Sequence, residues 1–268
     1  MLRPESFFEL EGHKLKGIFD KAEYVWDGLK NLKDYIKNNI QPNVAAVRNG
    51  KNFIDQDIVV FEGKVLRSGF IINTAKGTVT IDGKTLEGAA IIQAGVSLMD
   101  DEIYIGPGTV VESGAMIKGP TIIHDYTEIR QGAYIRGNVL VGDKCVVGHT
   151  TEMKSAIMLG GSKAGHFAYI GDSILGKVNL GAGTKLANLK IIESKVILNI
   201  NNKKYETGLR KFGAILADGV ETGCNSVTTP GSILGKNTLL YPNGTARGYY
   251  PPNSVVKVKQ TQEIEMRK

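Results

Sequence analysis

An aliphatic residue recurs at every sixth position through the middle of the chain. The ten positions are Ile105, Val111, Ile117, Ile123, Ile129, Ile135, Val141, Val147, Met153 and Leu159. A period of six fits neither an α-helix, at about 3.6 residues per turn, nor the two-residue alternation of a plain strand. It is typical of a parallel β-helix, in which each hexad forms one flat side of a coil. We therefore predict an all-β solenoid with these side chains in its core.

Small or β-branched residues stand four positions after most of these aliphatic residues. They are Thr109, Ala115, Thr121, Thr127, Ala133, Val139, Cys145 and Thr151. This pattern predicts a second, tighter inward position at the corner of each coil, and so a buried thiol at Cys145. With Cys224 as the second of two cysteines, no disulfide framework is available, and we expect a reducing compartment.

The N-terminal part of the chain follows different patterns. Between Ser6 and Ile40 apolar residues recur at helical spacing, and Asn39 and Pro42 end that pattern, which predicts one or two amphipathic helices that cap or flank the solenoid. We expect Trp26 to anchor their core. Residues 44–98 are rich in Val, Ile and Thr with glycine turns and predict short strands. We thus divide the chain into 1–43, 44–98 and 99–268, with Ile92 and Leu98 as the first residues in the hexad register.

Two interruptions of the hexads are candidates for function. Gly165 occupies the hexad position that follows Leu159, where the pattern calls for an aliphatic residue. A polar stretch, 199–211, interrupts the array again. Function in repeat proteins is often carried by such insertions, because they leave the coil at its corners. The hexads that we expect between and after the interruptions are Leu180, Leu186 and Ile192, and then Leu216, Thr222, Thr228, Leu234 and Leu240.

Charge and hydropathy exclude some classes of protein. The net charge of +6 is spread along the chain without a basic run interleaved with aromatic residues, so we expect no nucleic-acid partner. Its Lys and Arg residues form either an ordinary solvated surface or a local excess around an anionic small molecule. No stretch approaches the roughly 20 apolar residues of a membrane span, and the N-terminus lacks the apolar run of a signal peptide. We therefore expect a soluble, cytoplasmic protein without a membrane partner.

Four histidines are candidates for catalysis or metal binding. His13 has no evident partner, His124 is expected at the surface, and His149 at a loop position. His166 lies at the first interruption, although a plain surface role is also open to it. A zinc site of His124, His149 and His166 lacks a matching context and a second shell, so no metal is predicted.

Three motifs carry a resemblance to a known family. They are the segments Val147–Lys154, Gly161–Asp172 and Val178–Thr184. Over roughly residues 100–260 the chain resembles the acetyltransferase half of the bacterial bifunctional enzyme that makes UDP-N-acetylglucosamine, in the hexapeptide-repeat acyltransferase superfamily. The resemblance implies a left-handed parallel β-helix that works as a homotrimer. It also implies acetyl transfer from acetyl-CoA to an amino-sugar phosphate such as glucosamine-1-phosphate.

The resemblance also assigns roles to individual residues. His166 takes the place of the general base. Substrate-binding positions fall on Arg136, Lys154, Tyr169, Asn179, Asn188 and Lys211. Coenzyme-binding positions fall on Ala182 and Lys257, the latter where the family usually has arginine.

Physical chemistry supports part of this assignment independently. Acyl transfer to an amine needs a base, and a histidine side chain titrates near working pH. Backbone N–H groups at the Gly181–Gly183 turn could stabilise the oxyanion that forms from the thioester. Arg136 and Lys154 are three hexads apart, which predicts that they stack on neighbouring coils and face one phosphate, unless both are only solvated surface charges.

The chain departs from the family in ways that leave the function open. It has no Gly-x-Gly-Thr-Arg signature, so we expect no nucleotidyltransferase activity. Asn188 is followed by Leu189-Lys190-Ile191 where the family has Tyr-Asp-Gly, and an insert, 192–210, comes next. The acceptor sugar is therefore open, as are O-acyl transfer and longer acyl donors. The alternative function is a non-catalytic sugar-phosphate or nucleotide-sugar binding module beside a nucleotidyltransferase.

Overall fold

The computed structural model describes residues 2–259, 263, 264 and 266. Two 3-10 helices, Pro4–Ser6 and Lys16–Phe19, precede the helices α1 (Asp27–Asn39) and α2 (Ala45–Arg48). The strands follow in chain order: β1 (Ile58–Phe61), β2 (Lys64–Leu66), β3 (Ile71–Asn73), β4 (Thr78–Ile81), β5 (Lys84–Thr85), β6 (Ala90–Ile92), β7 (Ser97–Leu98), β8 (Ile103–Ile105), β9 (Val110–Val111), β10 (Met116–Lys118), β11 (Thr121–Ile123), β12 (Glu128–Ile129), β13 (Tyr134–Arg136), β14 (Val139–Val141), β15 (Val146–His149), β16 (Glu152–Lys154), β17 (Ala156–Met158), β18 (Lys163–His166), β19 (Tyr169–Gly171), β20 (Ile174–Leu175), β21 (Asn179–Leu180), β22 (Lys185–Leu186), β23 (Ile197–Ile200), β24 (Lys203–Glu206), β25 (Ala214–Leu216), β26 (Glu221–Thr222), β27 (Val227–Thr228), β28 (Ser232–Leu234), β29 (Leu239–Leu240), β30 (Thr245–Ala246), β31 (Tyr249–Tyr250) and β32 (Val255–Val256).

The strands build a solenoid with three parallel faces. The first face contains β6, β9, β12, β15, β18, β21, β26, β29 and β32, and is extended by β1 and β2, which pair antiparallel. The second face contains β7, β10, β13, β16, β19, β22, β27 and β30. The third face contains β8, β11, β14, β17, β20, β25, β28 and β31. The predicted all-β parallel solenoid with flanking helices and strands is confirmed.

The hexad pattern marks the core as predicted. All ten aliphatic positions are at most 4% exposed, and Cys145 in the tighter inward column is 1% exposed. Ile92 pairs with Val111 and Leu98 with Ile117, so both take part in the first parallel pairs, as expected. The domain boundaries at 43 and 98 stay a prediction.

The change of register differs from the one that the sequence suggested. Ile117 lies opposite Ile135, so an ordinary coil takes 18 residues. Val141, however, lies opposite Met158, one position before Leu159. Leu159 is buried, but it is not the register partner of Val141. This coil is therefore one residue shorter than an ordinary one, and the residue is missing at the corner between β16 and β17. The hexad count places the interruption later, at Gly165.

The second interruption begins earlier than the polar stretch. Ile192 was expected in the core, and that prediction is wrong, because its side chain is 77% exposed. The chain leaves the solenoid after β22 and forms the hairpin of β23 and β24, and it re-enters the third face at β25. Hexad spacing alone could not show this, since an aliphatic residue can meet the period by chance.

The N-terminal segment covers a side of the solenoid. Helix α1 packs against β14 and β17 of the third face, so it flanks the coils. Trp26 is 1% exposed, stacks on Tyr24 at 4.7 Å and meets Tyr205 of the hairpin edge-on at 6.2 Å. The predicted role of Trp26 as a core anchor is confirmed. None of the helices in the described part of the chain combines the length and apolar character that crossing a membrane requires.

Candidate active site

At the corner between the first and second faces, residues of successive coils stack on one another. The N–H of Phe167 donates to the carbonyl of His149 at 2.8 Å, and the N–H of Gly183 donates to the carbonyl of His166 at 3.0 Å. Ala182, just before Gly183, is the next member of the column. We call His149, His166 and Ala182 the histidine corner. Its spacing follows from the strands, which lie about 4.8 Å apart.

The imidazole of His166 is exposed and has a second imidazole beside it. His166 ends β18 and lies opposite His149 of β15 in the parallel register. Nδ1 of His149 lies 2.9 Å from the carbonyl oxygen of Gln131, which only accepts, so Nδ1 is the donor and Nε2 points elsewhere. The Phe167 ring meets His149 edge-on at 5.2 Å and lies 6.4 Å from His166. His149 was not among the predicted site residues, although its position 17 residues before His166, one shortened coil, identifies it in retrospect.

Arg136 and Lys154 lie side by side on the second face. The register that places Ile135 opposite Met153 also brings these two cations onto neighbouring strands, β13 and β16. Their predicted stacking is confirmed. Arg136 donates to Oε1 of Glu152 at 2.7 Å, and this hydrogen bond raises its pKa. The carboxylate of Glu152 therefore shares the guanidinium with any anion that binds there.

Three polar side chains meet where the second face turns into the third. The hydroxyl of Tyr169 donates to Oδ1 of Asn188 at 3.3 Å, and Nδ2 of Asn188 donates to Oδ2 of Asp172 at 2.5 Å. We call Tyr169, Asn188 and Asp172 the amide corner. A Cβ on Gly171 would lie 2.6 Å from the Tyr169 hydroxyl and 2.7 Å from Nδ2 of Asn188, so glycine provides the space for this contact.

Asp172 is a further site residue that the sequence analysis did not select. Burial raises the pKa of its carboxyl group, while the Asn188 hydrogen bond and the charges of Lys211 and Lys154 oppose this shift. Both lysines are thus within electrostatic reach of one carboxylate. Lys211 is held by a backbone bridge to Leu189 at the base of the insert. The only sequence signal for Asp172 is its place at the end of the Gly161–Asp172 motif.

Two predicted residues lie apart from the amide corner. Asn179 is exposed on the first face, opposite Lys163 of β18, whereas Tyr169 and Asn188 belong to the second face and its far corner. Lys257 follows β32 near the C-terminal end of the column that contains the histidine corner, with Nζ 5.7 Å from the ring of Tyr241. The structure therefore groups His166, Ala182 and Lys257 along one edge.

Most of the backbone N–H groups predicted to stabilise an oxyanion already donate hydrogen bonds to backbone carbonyls of neighbouring coils. The N–H of Gly181 donates to Thr222 at 2.8 Å and that of Gly183 donates to His166 at 3.0 Å. Within residues 2–259, the N–H of Ala182 is the one donor of this turn without an acceptor. Of the backbone donors expected at this turn, the N–H of Ala182 is therefore the one that can still meet an oxyanion.

The other histidines do not join this site. His13 was expected to lack a partner, but its ring nitrogens face the N–H groups of Leu15 at 3.1 Å and Gly160 at 3.3 Å. His124 lies at the corner after the third face and is half-buried, so it is less exposed than predicted, and burial lowers its pKa. The three histidines of the zinc alternative therefore do not converge.

A different acidic group surrounds His124. Its ring, Asp125 and Asp143 have ligand atoms within 4.8 Å of one another. The ammonium group of Lys14 lies 2.8 Å from Asp125 and 2.9 Å from Asp143, so it already balances these carboxylates. The arrangement fastens the N-terminal segment to the solenoid.

Comparisons with known proteins give relatives of the C-terminal region. The family model described as the GMPPB C-terminal domain matches residues 117–239. A bifunctional sugar-1-phosphate nucleotidylyltransferase/acetyltransferase of Sulfurisphaera tokodaii is 35% identical, over 49% of this chain and 38% of its own length. The bifunctional protein GlmU of Methanococcus vannielii is 38% identical, over 41% of this chain and 27% of its own length. The resemblance to these bifunctional proteins is confirmed, and the chain spans well under half the length of either relative.

Solved structures of low similarity also match part of the chain. The UDP-N-acetylglucosamine acyltransferase of Francisella novicida is 16% identical with a TM-score of 0.33, and the match covers 56% of each chain. PerB of Caulobacter crescentus, solved with CoA and GDP-perosamine, is 13% identical with a TM-score of 0.24, covering 59% of this chain and 54% of that one. Scores this low support no argument about the site.

Proposed function

We propose that this chain transfers an acetyl group from acetyl-CoA to the amine of an amino-sugar phosphate, with His166 as the general base. The observation that carries the proposal is that strand β19 lies between two polar corners. His166 stands just before this strand, and Asp172 of the amide corner stands just after it. The motifs shared with acetyltransferases and the names of the relatives support the same reaction.

The acceptor phosphate would bind to the cations of the second face. Arg136 and Lys154 lie on neighbouring strands, and Lys211 adds a third positive charge near Asp172. An arginine holds a phosphate through two parallel hydrogen bonds, and lysines act as point charges. Tyr169 and Asn188 would contact the sugar hydroxyls, because both groups can donate and accept hydrogen bonds.

The chemistry requires one group that accepts a proton from the amine and one hydrogen-bond donor to the thioester carbonyl oxygen. His166 takes a proton from the amine as the nitrogen attacks the thioester carbonyl and the C–N bond forms. The C–S bond then breaks, and the proton leaves His166 with the thiolate as free CoA thiol. The N–H of Ala182, next along the histidine corner, is the donor placed to stabilise the transient oxyanion.

We further propose that the active unit is a homotrimer in the cytoplasm. The histidine corner and the amide corner lie on opposite edges of the second face of one chain. A neighbouring copy that covers this face would enclose both edges in one cleft. Light scattering during gel filtration measures the mass of the assembly, and a monomer under assay conditions would contradict this part of the proposal.

The test is a thiol-release assay with acetyl-CoA and a panel of amino-sugar phosphates that includes glucosamine-1-phosphate. We expect release with at least one amine, and a loss of about 10²–10⁴-fold in turnover for His166→Asn. His124→Gln provides the control, because His124 lies at another corner of the coil. Turnover of His166→Asn within a few-fold of the native chain would remove His166 from the mechanism.

The alternative is a non-catalytic module that binds a sugar phosphate. The ion pair of Arg136 with Glu152 and the exposure of His166 are compatible with binding alone. Calorimetric titration separates the two functions. Binding of glucosamine-1-phosphate without any binding of acetyl-CoA would favour the module.

A further inference from the structure

A groove with a volume of about 630 Å³ lies outside the site described so far. Strand β23 of the insert forms one wall, and the corner Thr229–Gly231 together with Arg247–Tyr249 of the last coils forms the other. We call it the hairpin groove. It begins at Lys190, two residues after Asn188, so it continues from the amide corner towards the C-terminal coils.

The wall formed by the insert is held firmly in place. Val196 and Leu198 pack so closely on Gly231 that an added Cβ would lie 2.6 Å and 2.9 Å from their side chains. On the other side, Tyr205 of β24 meets Trp26 of the N-terminal segment. The groove is therefore preformed, and a ligand need not order a loose loop to bind in it.

The charged groups that line the groove are all positive. They are Lys190, Lys204 and Arg247, and no Asp or Glu is among the described residues of its lining. Nζ of Lys190 donates to the neutral hydroxyl of Ser194 at 2.8 Å. Lys204 pairs with Glu206 at 3.2 Å, but both side chains are largely exposed, so this pair contributes little. Such a groove attracts an anion with several charges.

The rest of the lining provides apolar surface. Tyr249 is half-buried in the wall of the last coils, and Ile197 on β23 is 41% exposed. Small-molecule sites typically measure about 300–1,000 Å³ and combine apolar walls with a few polar groups. The volume suits a nucleotide, whose base would contact the apolar side chains while its phosphates meet the cations.

We propose that the hairpin groove binds a nucleoside diphosphate group. Such a group occurs in nucleotide-activated sugars and in the ADP portion of coenzyme A, and both sources share the chemistry that the groove recognises. The proposal does not depend on acetyl transfer, because neither His166 nor Arg136 lines the groove. A chain that binds nucleotides without transferring acetyl groups would satisfy it.

The test is calorimetric titration of the full chain with ADP, UDP and GDP. We expect binding of at least one, and the double variant Lys204→Gln/Arg247→Gln should weaken it about tenfold or more, because two charge-assisted hydrogen bonds are lost. Lys203→Gln is the matched control. It removes one positive charge from the hairpin, as Lys204→Gln does, but Lys203 lies over the ring of Tyr205 and does not line the groove.

Two results would overturn the proposal. One is the absence of binding heat with all three nucleotides, and the other is equal weakening by Lys203→Gln and by the double variant. Thermal melting of each variant checks that the fold is retained. Displacement of ADP by CoA would identify the coenzyme as the source of the group, whereas preference for UDP or GDP without displacement by CoA would identify a nucleotide-activated sugar.

Discussion

His149 and His166 lie opposite each other on neighbouring parallel strands, and the ring of Phe167 lies against both imidazoles. The family resemblance assigns a role to His166 alone. The structure thus adds a second imidazole one coil away, with Nδ1 tied to the carbonyl of Gln131. Substitution of each ring in turn tests the assignment of His166 as the base.

We expect His149→Asn to keep turnover within a few-fold of the native chain, unlike His166→Asn. The amide of the asparagine can donate to the Gln131 carbonyl as Nδ1 does now, so the corner keeps its hydrogen bond. Steady-state assays of both variants with acetyl-CoA measure the difference. A loss in His149→Asn as large as that in His166→Asn would show that the two rings act together.

Glu152→Gln should strengthen phosphate binding on the second face. The substitution keeps the shape of the side chain but removes the charge that Arg136 now meets at 2.7 Å. We expect a several-fold tighter dissociation constant for glucosamine-1-phosphate by calorimetry, and a weaker one for Arg136→Gln. Unchanged binding in both variants would place the phosphate elsewhere.

The pH dependence of stability should change in Asp172→Asn. Burial raises the pKa of Asp172 in the folded chain, so the folded state holds this proton more tightly than the unfolded state does. Its contribution is fully present below the ordinary value of 3.8 and is lost as the pH rises through the raised pKa. Urea unfolding should therefore show the native chain losing stability relative to the variant as the pH rises.

Asp55→Asn is a control for which the pH dependence of stability should have the opposite sign. The hydrogen bond from Lys51 lowers the pKa of Asp55, so its contribution is lost as the pH falls. If the difference in unfolding free energy between native chain and variant changed with pH in the same direction for both substitutions, the raised pKa assigned to Asp172 would be contradicted.

The two cysteines should differ in reactivity. Burial raises the pKa of Cys145 to about 12, whereas Cys224 is exposed. Because the thiolate is the reactive form, a thiol reagent should label Cys224 in the folded chain and reach Cys145 only after unfolding. Mass spectrometry of labelled peptides measures this, and rapid labelling of Cys145 in the folded chain would count against the buried position.

Gly231→Ala should loosen the hairpin and destabilise the chain by about 1–3 kcal/mol, because the new methyl group would overlap Val196. Gly248→Ala is a matched control, since Gly248 also has a positive φ, +80° against +82°, but has no atom within 4 Å of an added Cβ. Thermal unfolding of both variants separates the overlap from the backbone strain. Equal losses would mean that the hairpin does not press on Gly231.

The sequence alone predicted the solenoid because the core of a β-helix repeats locally. Each coil places its inward residue by the same count, so Ile117, Ile135 and their counterparts identify themselves by spacing. The same repeat predicts that Arg136 lies beside Lys154, because the two residues are three hexads apart. The candidate base, in contrast, came from the family resemblance of the motif around His166, because the hexad spacing is interrupted there.

Only the tertiary structure decided how the interruptions are used. Ile192 satisfied the period and still left the core, because the chain forms a hairpin there that packs on Gly231 and, through Tyr205, on Trp26, far away in sequence. Asp172 and Asn188 meet for a similar reason, since a coil corner and the base of an insert are brought together by folding. Local periodicity carries no information about such contacts, because they depend on where an insertion returns to the solenoid.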